Sequence, residues 1–167
     1  MHIDQIWNLA KNLGGSLSEY AVWLLERSMK TLALRVRAQN NNAKIIADWL
    51  TENPLVSQVF YPGLKSHPNH SIAKKQMNGY TGMLSFELEK SINGKTFLNS
   101  LQLIKPSMSL AGVESTILAP SKASHALLGE EERKKQGISE GLLRLSVGIE
   151  DSDDLILDLK QAFTKSN

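Results

Sequence analysis

Gly137-Ile138-Ser139-Glu140-Gly141-Leu142-Leu143-Arg144-Leu145-Ser146-Val147-Gly148-Ile149-Glu150-Asp151 is the stretch on which the fold turns. Between Leu142 and Ile149 the side chains alternate. Leu143, Leu145, Val147 and Ile149 share one side, while Arg144 and Ser146 take the other. A period of two with one apolar face predicts a strand packed on a core. After Asp151 the period changes: Leu155, Ile156, Leu159, Ala162 and Phe163 recur at helical spacing. Acids open this segment, and Lys160 and Lys165 lie toward its end, as the helix dipole favours. A half-buried strand thus runs into a closing amphipathic helix.

The same signals extend toward the N-terminus. Met83 to Glu89 alternates, with Leu84, Phe86 and Leu88 on one face. Leu55 to Tyr61 reads as a strand stopped by Pro62-Gly63. Short helices are expected over Ser71–Met77, Ile92–Leu103 and the charged Gly129–Gln136, and Ile104–Pro120 has room for one or two short strands. Leu17 to Glu52 is helical in pattern, with Ser18 as its cap and Asn53-Pro54 as its end, and so long a run implies one bent helix or two. Strands followed by helices without strict alternation predict an α+β fold: a mainly antiparallel sheet with helices on one face.

Composition narrows the class. The chain has 167 residues, of which 41% are hydrophobic and 22% charged, the balance of a globular domain rather than a disordered tail. Lys and Arg number 19 against 17 Asp and Glu, so no strong field draws nucleic acid or anionic lipid. The longest large apolar run, Ala21 to Leu25, is too short to span a bilayer. The start, Met1-His2-Ile3-Asp4-Gln5, carries no secretory signal pattern. Cysteine is absent, which removes disulfides and thiol nucleophiles together. A soluble cytoplasmic domain is expected, with no nucleic-acid or membrane partner and no metal site.

Arg144 is the residue of most chemical interest. Among aliphatic neighbours it offers either a bidentate grip on a carboxylate or phosphate, or an ordinary charge on a solvated sheet face. Pattern alone favours the ordinary charge. His67 and His70 flank Pro68 in a segment read as a surface loop. Ser124 beside His125 lacks a nucleophile elbow. The acids Glu150, Asp151, Asp153 and Asp154 lack the spacing of a calcium loop and read as helix capping.

Six ordered stretches carry a resemblance. They are Leu17–Arg27, Lys30–Arg35, Val59–Leu64, Gly82–Phe86, Ser109–Ser115 and Gly137–Asp151. Together they resemble the C-terminal part of the Cys/Met-metabolism pyridoxal-phosphate (PLP) enzymes, which include cystathionine synthases and lyases and methionine γ-lyase. The resemblance implies the small C-terminal domain of a type I PLP enzyme, over residues 38–167, with residues 1–37 as a helical segment leading in from a large domain. It implies pyridoxal phosphate as cofactor, held by a lysine of that large domain and not by any lysine in this chain. This chain is then a fragment or truncation, inactive alone.

By the same resemblance, Arg144 and Ser109 bind the substrate carboxylate, which turns the reading of Arg144 toward function. Met108 and Ser124 are expected as pocket lining. Met108 stands at a position that steers β- against γ-chemistry in relatives. Ala111 replaces the usual first glycine of its loop, and Ser28 replaces the glycine after Arg27. A small amino acid is the implied substrate. The implied protein partner is a second copy or the large domain. Two other readings remain at this point: a free-standing amino-acid-binding or regulatory module, and an interaction domain packing through Trp7, Trp23 and Trp49.

Overall fold

Helical periodicity at the N-terminus yields three helices, and alternation downstream yields the strands. The computed structural model describes residues 2–167. They group into two units, one ending at Leu34 and one spanning Arg35–Asn167. In the first, α1 (His2–Leu13) ends at Gly14, which takes the left-handed conformation (φ 69°) that a helix stop favours. Helix α2 (Glu19–Met29) starts where Ser18 stays extended and its Oγ accepts the Ala21 N–H at 3.3 Å. Neither α1 nor α2 buries a residue. Tyr20 stacks on Trp23 with ring centroids 5.9 Å apart. The Arg27 guanidinium lies 5.8 Å from the same Trp23 ring. Helix α3 (Leu32–Thr51) follows after Lys30 and Thr31, so the long helical run is two helices.

In the second unit, α3 turns Ala43, Ile46, Ala47 and Leu50 inward. Then come β1 (Val56–Phe60), α4 (His70–Gln76), β2 (Met83–Leu88), α5 (Gly94–Ser100), β3 (Lys105–Pro106) and β4 (Thr116–Leu118). A short 3₁₀ turn (Pro120–Lys122), α6 (Glu130–Lys135), β5 (Leu142–Ser146) and α7 (Ser152–Ser166) complete it. The sheet order is β1-β2-β5-β4-β3. Every pairing is antiparallel except β3 with β4.

Register separates the two faces. Val59–Phe86–Leu143 and Leu84–Leu145–Ile117 form rows on one, while Phe60–Ser85–Arg144–Leu118 and Met83–Ser146–Thr116 form rows on the other. The first face joins the helices in one core, with Phe97 of α5 and Leu155, Leu159, Ala162 and Phe163 of α7. Phe97 is fully buried. Its ring centroid lies 4.7 Å from that of Phe163. The expected α+β layering and the alternation of β2 and β5 are therefore present.

Most boundaries shift by one or two residues, and two elements stop three residues short of expectation. Helix α5 stops at Ser100 instead of Leu103, because the N–H groups of Gln102, Leu103 and Ile104 donate to the buried Asp158 carboxylate at 2.8–2.9 Å. Those amides have a partner outside any helix. Strand β5 stops at Ser146, and Ile149 is exposed rather than part of the apolar face. At Gly148 the backbone runs so close to the Val113 carbonyl and the Glu150 carboxylate that a Cβ does not fit. Among the described residues, no helix is long and apolar enough to cross a membrane.

Candidate functional site

Arg144 sits at the middle of β5, across from Ser85 on β2 and Leu118 on β4. Its neighbours Leu143 and Leu145 are locked in the core, so alternation forces the guanidinium to the opposite face. There Nη2 donates to the Met108 carbonyl at 3.2 Å and, more weakly, to the Ser109 carbonyl at 3.5 Å. The Nε of Arg144 is buried and has no hydrogen-bond partner. A guanidinium is permanently charged, and a buried donor left unpaired costs about 1–3 kcal/mol. Among the described residues, Arg144 is the charged side chain that leaves such a buried donor without a partner.

The loop after β3 supplies the carbonyls. Ser107 Oγ accepts the Ser109 N–H at 3.2 Å, and the Ser109 carbonyl also accepts from Thr116 Oγ1 at 2.7 Å. Ala111 adopts φ 61°, the left-handed region that glycine takes without strain. Its N–H donates to Ser146 Oγ at 2.9 Å. Farther along, Ser115 donates to Glu150 through its N–H (2.6 Å) and its Oγ (2.9 Å). Gln39 Nε2 donates to the Gly112 carbonyl at 2.6 Å.

Met108 borders a hollow of about 730 Å³ whose walls include Leu98, Ile117, Leu118 and Leu143. Lys122 and Ala123 also line it, but Ser124 does not. Ser124 is exposed, and its Oγ lies 2.8 Å from His125 Nδ1. The Lys122 ammonium pairs with Glu140, whose carboxyl titrates below the usual carboxylate range chiefly because Lys122 hydrogen-bonds it. The structure thus brings Arg144, Ser109 and Met108 together and leaves Ser124 apart.

Other candidates resolve into structural roles. His70 opens α4; its Nδ1 lies 2.8 Å from the Pro62 carbonyl, and its ring stacks on Tyr80 at 5.6 Å, so this histidine is tied down rather than free in a loop. Asp151 caps α7 by accepting the Asp153 N–H at 2.9 Å, as expected. Among the described residues no group of His, Cys, Asp or Glu is arranged to hold a metal. Asp158, Ser146 and Thr116 escaped sequence reasoning as contributors. The visible clue was a lone acid between Leu157 and Leu159 in the apolar stripe of α7.

The donor set around Arg144 does not fit pyridoxal phosphate itself. That cofactor needs an amine for its aldehyde and convergent donors for its phosphate. Met108, Ser109 and Thr116 turn carbonyls and a committed hydroxyl to the site instead. What remains without a partner is the Nε of Arg144, a donor of the kind a carboxylate accepts from.

Comparison with known proteins places nearly the whole chain in one family. Residues 2–164 match the model of the Cys/Met metabolism PLP-dependent enzymes. The chain is 45% identical over 162 residues to the cystathionine beta-lyase of Lactococcus lactis subsp. cremoris (strain MG1363), covering 97% of this chain and 43% of that protein. It is 46% identical over 158 residues to the cystathionine gamma-lyase of Dictyostelium discoideum, covering 94% and 41%. It superposes on the crystal structure of cystathionine gamma-lyase from Lactobacillus plantarum complexed with L-serine with a TM-score of 0.90 and 43% identity, over 98% of this chain and 43% of that one. The chain therefore spans less than half the length of these relatives.

Proposed function

We propose, from the premise that this chain belongs to the Cys/Met metabolism PLP-dependent enzyme family, that it forms the substrate-carboxylate-binding part of a transsulfuration-type enzyme. The reaction is β- or γ-elimination, or γ-replacement, on a sulfur amino acid or a homoserine ester. In this reading residues 38–167 are the small C-terminal domain and residues 1–37 lead in from the large domain, where the cofactor is held. The chain is inactive without that domain. A cytoplasmic setting belongs to the same reading, since a chain without cysteine needs no oxidising compartment.

The observation that carries it is the buried, unpartnered Nε of Arg144, on a guanidinium whose Nη2 is tethered by the Met108 and Ser109 carbonyls. Arg144 grips the α-carboxylate of the amino acid, and the tether fixes the plane in which that carboxylate docks. A substrate held at its carboxylate has lost rotation about the bonds to its reacting carbon, which is a large share of what a positioned site contributes. Ser109 lies beside the same contact. Met108 stands between the carboxylate grip and the hollow, and Ser124 has no part in it.

Kinetics of the whole enzyme test this. Arg144→Ala should raise KM by about 30-fold to several-thousand-fold, equivalent to about 2–5 kcal/mol for a desolvated charged contact. Arg144→Lys should not restore it, because an ammonium cannot match the two parallel donors of a guanidinium. An Arg144→Ala enzyme with wild-type KM overturns the reading.

The partner is proposed on separate grounds. Ile3, Ile6, Trp7, Leu13, Leu17 and Tyr20 are all exposed. Extended apolar surface of this kind marks an interaction face, here for the large domain or a second copy. The chain on its own should therefore associate, and sedimentation showing a clean monomer at high concentration counts against this.

A further inference from the structure

We propose that Ser146 and Thr116 are positioning residues, holding the Met108–Ala111 loop against Arg144 and thereby setting the plane of its guanidinium. The proposal rests on the reading of Arg144 as the carboxylate ligand. The two residues are register partners on adjacent strands, and Leu118 with Arg144 is a neighbouring pair on the same face. Both are buried, Thr116 4% and Ser146 2% exposed. Hydroxyls so placed are tolerated when they are hydrogen-bonded, and both bonds go to one loop. Ser146 Oγ accepts the Ala111 N–H at 2.9 Å, and Thr116 Oγ1 donates to the Ser109 carbonyl at 2.7 Å. That carbonyl and its neighbour on Met108 are the groups that accept from Arg144 Nη2.

Packing does little to fix this loop. Met108, Leu110 and Val113 are exposed. Its conformation is also strained, because Ala111 at φ 61° carries a Cβ in the left-handed region. Left to itself, Ala111 relaxes to negative φ, which swings the adjoining peptide units and carries the Ser109 carbonyl off Nη2. The Ser146 bond to the N–H of Ala111 acts on that strained unit. Thr116 acts one step nearer, on the carbonyl itself. Releasing either one lets the guanidinium turn and misaligns the edge offered to the carboxylate.

The whole enzyme provides the test, with inhibition constants of an amino acid compared with those of the matching amine that lacks the carboxylate. Ser146→Ala and Thr116→Val should each weaken the amino acid roughly 3- to 10-fold, the size of one neutral hydrogen bond. The amine should be unaffected, kcat little changed, and the melting temperature close to wild type. Hydrogen exchange at the Ala111 amide should quicken in Ser146→Ala. Adding Ala111→Gly to Ser146→Ala should recover much of the loss, since glycine enters the left-handed region freely; a merely space-filling serine gives no such rescue. If Ser146→Ala fails to fold, Thr116→Val against Thr116→Ser makes the same contrast, with only the valine weakening the amino acid. Unchanged discrimination in these variants, while Arg144→Ala abolishes it, overturns the proposal and spares Arg144. Unchanged discrimination in Arg144→Ala overturns both.

Discussion

Strand β5 presents two unlike faces across a single backbone. Leu143 and Leu145 are at most 1% exposed and sit in a core shared with α3, α5 and α7. Arg144 and Ser146 point the other way, into a layer held by hydrogen bonds to an exposed loop. The first face has many redundant apolar contacts, and the second has a few directional ones. On the proposed function, stability and binding fall to alternate residues of one strand, so each can be damaged without the other.

The largest expected effect is on the apolar face. Phe97→Ala removes a ring packed on Phe86 and Phe163 and should cost about 3–5 kcal/mol in denaturant unfolding. A loss below about 1 kcal/mol breaks the comparison, because the core would then not carry the fold. Next is the alkaline limb of stability. Burial pushes the Tyr61 hydroxyl up to about 12, with the Asp48 charge and Tyr80 adding to it. The folded state therefore keeps a proton that the unfolded chain gives up near its ordinary value of 10.0. Stability from this group is complete below pH 10 and falls as pH climbs toward 12, by roughly 2–3 kcal/mol in all. Tyr61→Phe should flatten that limb in a pH series of unfolding curves, and an unchanged limb rules the assignment out.

Smaller again is Asp158→Ala, which strips the backbone N–H groups of Gln102, Leu103 and Ile104 of their acceptor. The loss should be about 1.5–3 kcal/mol by thermal or denaturant unfolding. The smallest effect sharpens the contrast most: Arg144→Ala should leave the unfolding free energy within about 1 kcal/mol of wild type. If it unfolds the chain as Phe97→Ala does, the two faces are not separable.

Much of this layout was legible in the sequence because it is local. The alternation of Leu84, Phe86 and Leu88, the helical spacing in α7 and the Ser18 cap all repeat within a few residues. The end of α5 was not legible. Leu101 and Leu103 continue a helical pattern, and only Asp158, more than fifty residues later, diverts the amides there. The parallel pairing of β3 with β4 was hidden likewise, since two residues of strand carry no period. For the site, alternation gave the direction of Arg144, whereas resemblance supplied its meaning. The hydroxyls of Ser146 and Thr116 carry no sequence signal of their own, because a serine on a strand reads the same whether it faces water or grips a loop.

The borders of the sheet have a consequence for the life of the chain in a crowded solution. The outermost strands are β1 and β3. Strand β3 is two residues long, and one of them is Pro106, which has no N–H to share. Strand β1 slips register against β2 between Val56 and Gln58, an irregularity of the kind that disrupts a ladder. An incoming strand from another molecule needs a straight row of open donors and acceptors to zip onto. One border is short and carries a proline, and the other slips register, so each is a poor template for strands added from molecule to molecule.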